Sequence, residues 1–158
     1  MANTLRDGYS NFKFFQALAP YITGDPEDAQ GVAVDTQGYG TCTFVVNVGD
    51  LASGGAMAAD DFHQFQLEHY NSDAGAWSEV YPSQMIHSVI AAGDSLNSGI
   101  FQSIASSTQG SATYAVGYLG PHRTVRFALS GENTPSAMQI GVIAILGEPN
   151  DWPVNTPA

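Results

Sequence analysis

Charge is scarce in this chain. Asp, Glu, Lys and Arg make up 12% of its 158 residues, about half the share of an ordinary domain. Four of them are cationic, namely Arg6, Lys13, Arg123 and Arg126, against fifteen acids, for a net charge of −11. Nucleic acid and anionic membranes are held by clustered Lys and Arg, so neither is expected as a partner. Cysteine is nearly absent as well. A single Cys42 rules out an internal disulfide and a cysteine-based zinc site. It lies inside the apolar run Thr41–Val48 with no base adjacent, which reads as a small buried hydrophobe rather than a reactive thiol. No stretch approaches the roughly 20 apolar residues of a membrane span, and the first residues lack the apolar core of a secretory signal. The expectation is a protein made in the cytoplasm.

The motifs of common chemistries are missing too. The sequence has no GxSxG elbow, no GxxxxGK[ST] loop, no GxGxxG after a strand and no HExxH. His63 and His69 are six residues apart on one predicted strand, roughly 20 Å, too far to share a metal. Asp60 and Asp61 beside His63 read as an acidic loop. Asn71–Trp77 resembles part of a calcium loop but lacks the later Glu, and reads as a turn. The expectation is therefore no enzyme, no cofactor and no metal.

What is present is β patterning. Thr41–Val48 (TCTFVVNV) is a near-continuous β-branched run and reads as a strand. Phe62–Tyr70 alternates, with Phe65, Leu67 and His69 on one face and Gln64, Gln66, Glu68 and Tyr70 on the other. The turn Asn71–Gly75 then leads into Trp77, Glu79 and Tyr81, which predicts a hairpin. Tyr114–Leu129 (YAVGYLGPHRTVRFAL) alternates on both sides of Gly120-Pro121 and reads as a second hairpin, placed at the centre of the core. Arg126 within it is expected on the polar face, paired with Glu68 or Glu79. Met138–Leu146 (MQIGVIAIL) reads as a final buried strand.

About eight strands at short spacing, with turn signals between them, predict a single all-β domain over 1–158: an antiparallel, jelly-roll-like β-sandwich. Residues 1–30 read as an extended arm and 147–158, with three prolines, as a tail. Both ends are free to reach beyond the core, so the candidate interface residues are Arg6, Lys13, Phe14 and Phe15, the loop residue Arg123, and Trp152.

Four pieces in order carry a resemblance: VDTQGYGTCTFVVNVG, FQLEHYNSDAGAWSEV, YAVGYLGPHRTVRFAL and IGVIAILGEPNDWP. Together they span about residues 31–153 and resemble small structural proteins of tailed bacteriophages and gene transfer agents. The chain departs from that pattern at Pro121-His122 and Thr124. The resemblance implies a virion structural protein. Its acidity and extended ends favour a decoration or cement protein on the outer capsid surface, with the major capsid protein as partner and a homotrimer as the favoured state. A tail or head–tail joining component is the alternative within virions. A carbohydrate-binding sandwich is the alternative outside them, with Trp77, Tyr81 or Trp152 as stacking platforms.

Overall fold

Strict alternation in Phe62–Asn71 sets the character of one sheet. His63, Phe65, Leu67 and His69 are buried on one side, while Gln64, Gln66 and Glu68 point away. Beyond the strand, the Asn71 side chain accepts the Asp73 N–H at 3.0 Å, and Gly75 adopts φ +65°, a conformation that suits glycine. The chain returns through Ala76–Glu79, with Trp77 opposite Tyr70 and Glu79 opposite Glu68. The predicted hairpin is there.

The computed structural model describes residues 11–24, 28–51, 60–87 and 99–150. Among them are eleven strands: β1 Lys13–Ile22, β2 Ala29–Gln30, β3 Val34–Asp35, β4 Tyr39–Leu51, β5 Phe62–Asn71, β6 Ala76–Glu79, β7 Met85–His87, β8 Ile100–Ile104, β9 Ala112–Tyr118, β10 Thr124–Glu132 and β11 Met138–Pro149. They form two antiparallel sheets packed face to face. Sheet A runs β1-β11-β4-β9-β7 and sheet B runs β2-β10-β5-β6, with β3 also on β10 and β8 also on β5. Taking β2 with β3, and β6 with β8, as the two halves of interrupted strands, and setting aside the three-residue edge strand β7, leaves an eight-strand frame. First and last strands are neighbours in sheet A, and the chain changes sheets at nearly every connection. This is jelly-roll topology, as the turn spacing implies.

Between the sheets lies one apolar core. Phe44, Val46, Val142, Ala144 and Leu146 from sheet A meet Phe65, Leu67, Val125, Phe127 and Leu129 from sheet B, all essentially without solvent contact. Phe65 is its hub, with ring centroids 5.7 Å from Phe127, 6.2 Å from Phe101 and 6.0 Å from Tyr114. Cys42 is buried, and burial pushes its thiol pKa up to about 12.

Two expectations need correction. Tyr114–Leu129 is not a hairpin: β9 pairs with β4 and β7 in sheet A, whereas β10 pairs with β2, β3 and β5 in sheet B. Alternation reports only that each strand has one buried face; the loop 119–123 carries the chain across the core. The segment read as an arm is extended, but from Lys13 onward it is β1, paired along β11 from Lys13–Leu146 to Ile22–Gln139. It is an edge strand interrupted by two register shifts, a position that tolerates Pro20. Residues 147–149 likewise close β11 rather than beginning a tail. Residues 1–10 and 151–158, with Arg6 and Trp152, lie outside the described residues.

Candidate functional site

Strands β4 and β11 do not alternate as β5 does, and the reason shows on the outer face of sheet A. Cys42, Phe44, Val46 and Val48 turn inward, leaving Thr43, Val45 and Asn47 outward; in β11, Gly141, Ile143 and Ile145 take the outward positions. Cross-strand register lines these up. One row reads Gln16, Ile143, Val45, Ala115, and the next reads Phe14, Ile145, Thr43, Gly117, Ile86. Neither row contains a charge. A half-solvated antiparallel sheet normally alternates apolar and polar residues, and near-continuous apolar strands belong where both faces are covered.

A groove of about 780 Å³ runs over this face beside β1. Its lining includes Phe14, Leu18, Pro20, Ile22, Val45 and Ile143, and none of its residues is Asp, Glu, Lys or Arg. Phe14 is 55% exposed, Ile22 60% and Ile143 49%. Farther along the same sheet, Ile86 on β7 is 61% exposed. Large exposed apolar patches mark interaction surfaces.

Sheet B is different. Across its outer face runs the row Arg126, Glu68, Glu79. The Arg126 Nε donates to Glu68 Oε2 at 2.7 Å, as expected from the sequence, and its guanidinium lies 4.1 Å from the Trp77 ring centre. Trp77 also meets Tyr70 edge-on at 5.6 Å. With its ring capped by an arginine, Trp77 is not an open stacking platform.

The structure disperses the sequence candidates. Of the three neighbours on β1, only Phe14 stands on the open face. Phe15 packs partly against the core, and Lys13 lies over its ring at 4.9 Å. Arg123, in the loop before β10, forms a two-pronged pair with Asp35 on β3 of the opposite sheet, whose Oδ1 accepts from Nε at 2.7 Å. That hydrogen bond holds the Asp35 pKa down at about 2. Ile22, Val45, Ile86 and Ile143 went unrecognised as candidates. The signal that marks three of them was in the sequence, in the failure of β4 and β11 to alternate and in the apolar β1. Among the described residues no three His, Cys, Asp or Glu side chains are placed to hold a metal ion.

No protein-family model matches the chain, and no curated protein matches it. Solved structures do. The SPBc2 prophage-derived protein YomS aligns over 85% of this chain and 93% of its own length, at 8% identity and a TM-score of 0.36. The N-terminal CBM22-1–GH10 modules of xylanase 10B from Clostridium thermocellum, solved with xylohexaose, align over 95% of this chain at 10% identity and a TM-score of 0.42. This chain spans 28% of that structure's length. Likeness this remote assigns no function.

Proposed function

We propose that this chain is a virion structural protein of a tailed bacteriophage: a capsid decoration protein that docks the outer face of sheet A on the shell formed by the major capsid protein. The observation carrying the reading is the uncharged face itself. In a chain of net charge −11, a sheet face with four exposed large apolar side chains and a charge-free groove is where a protein surface can pack without desolvating carboxylates. The ordered family pieces in the sequence supply the virion context. Symmetric shells offer repeated sites, and copies clustered as trimers around a symmetry axis suit them. The role is mechanical, with no catalytic step.

The test is rebinding. Shells stripped of the protein, mixed with the purified chain and sedimented, should carry the wild type down. Ile143→Asp places a carboxylate in the middle of the face, half-exposed so that the fold tolerates it. Burying that unpaired charge under a partner costs several kcal/mol, so occupancy should fall by about a hundredfold or more. Rebinding of Ile143→Asp equal to wild type would remove sheet A as the contact.

A further inference from the structure

A second concavity lies at one end of the sandwich and shares no residue with the groove on sheet A. It is a pocket of about 340 Å³ between the ends of β5 and β6, the segment leading to β7, and the loop 119–123. Its chemistry is set by a hydrogen-bond chain. The Tyr118 hydroxyl donates to the His122 carbonyl at 3.0 Å and accepts the His122 N–H at 3.2 Å. His69 Nδ1 lies 3.1 Å from the same hydroxyl. The hydroxyl has one proton, already given to the carbonyl, so Nδ1 carries its own and Nε2 is left as the acceptor. The His122 ring stands edge-on to His69 with centroids 4.2 Å apart.

The other lining groups are complementary. The Gln84 oxygen accepts the Tyr81 N–H, and the Asn71 oxygen accepts two N–H groups of its own turn, so each presents an amide NH₂ as donor. Ser78 and Tyr81 add hydroxyls that both donate and accept, and Glu79 adds a carboxylate acceptor. Tyr81 is 57% exposed, which leaves its ring available as a platform.

This inventory excludes most ligand classes. No Lys or Arg lines the pocket, so an anion finds no positive charge to offset Glu79 and the field of an acidic chain. No aliphatic side chain lines it either, which removes lipids. Among the described residues no three His, Cys, Asp or Glu side chains are placed to hold a metal ion, so a metal cation finds no ligand set here. What fits is a neutral molecule whose every polar group both donates and accepts, and the volume is at the small end of ligand pockets. We infer that the pocket bounded by His69, Glu79, Tyr81, Gln84 and His122 binds a neutral saccharide unit. The site goes beyond shell binding and leaves the sheet A face free.

The experiment is an NMR titration of the full chain with a panel of neutral mono- and disaccharides, following the His69 and His122 ring protons. At least one sugar should move both, with a Kd on the order of 1 mM. Tyr81→Ala and Gln84→Ala are changes at the pocket mouth that leave the core intact, and each should weaken binding by about tenfold. N-acetylneuraminic acid should not bind. Silence of both histidines across the panel, shifts unchanged in Tyr81→Ala, or equal binding of the acidic sugar would each overturn the assignment.

Discussion

His69 has almost no solvent contact, and burial, with the nearby His122 adding to it, lowers its pKa below the ordinary 6.5. The folded state therefore binds the proton less readily than the unfolded chain. Stability is complete above about pH 6.5 and falls as the pH drops from there through the lowered folded value. In urea titrations at a series of pH values, wild type should lose stability across that window, and His69→Gln should show a flatter profile. A matching slope in the variant would deny the role. Asp35 acts lower on the scale. Its depressed pKa gives a contribution present above the ordinary carboxylate value of 3.8 and lost as the pH falls toward about 2, kept small by the exposure of the pair.

Arg126 carries a different load. Glu68 and Glu79 face each other directly across β5 and β6, an unfavourable pairing of like charges. The guanidinium offsets it by holding Glu68 while covering Trp77. Arg126→Leu should cost about 1–3 kcal/mol in denaturant unfolding, and adding Glu79→Gln should recover part of it. Additive effects in the double variant would mean that the three side chains do not act as a row.

At the scale of elements, legibility follows how local each cause is. The β5–β6 hairpin is written into contiguous residues: strict alternation, an Asx turn and Gly75. So is the pairing of Arg126 with Glu68, because both lie on outward positions of neighbouring strands. The path of Leu119–Arg123 is not written there. Whether two alternating strands pair or separate into opposite sheets depends on partners distant in sequence, here β4 for β9 and β5 for β10. Tyr118 pins this crossing by joining His69 of sheet B to the His122 backbone. Tyr118→Phe leaves those groups without their shared partner and should destabilise by about 1–3 kcal/mol, read from the shift in urea midpoint. A loss near zero would show that the loop is held by packing alone. Strand β1 reads as an arm in the sequence for a related reason: extended aromatics suit an arm as well as a strand, and only pairing with β11 decides.

At the level of the whole sandwich, and among the described residues, the middle of the two outer faces differs in charge. Sheet B presents Arg126, Glu68 and Glu79 to solvent and alternates as a half-wet sheet should. Sheet A presents Phe14, Ile22, Val45, Ile86 and Ile143 and carries apolar runs suited to burial on both sides. In the sequence those runs read as core alone, which leaves the loops and ends as the expected partner surface. Half of each run does build the core. The other half is the candidate contact, and it needed the register of four strands to be seen as one face.

The most direct measurement is a reconstruction of the intact particle whose genome encodes this chain. Density for the protein should repeat over the outer shell, with the outer face of sheet A against the major capsid protein and sheet B toward solvent. Density confined to the tail or to a single vertex, or sheet A turned outward to solvent, would contradict it.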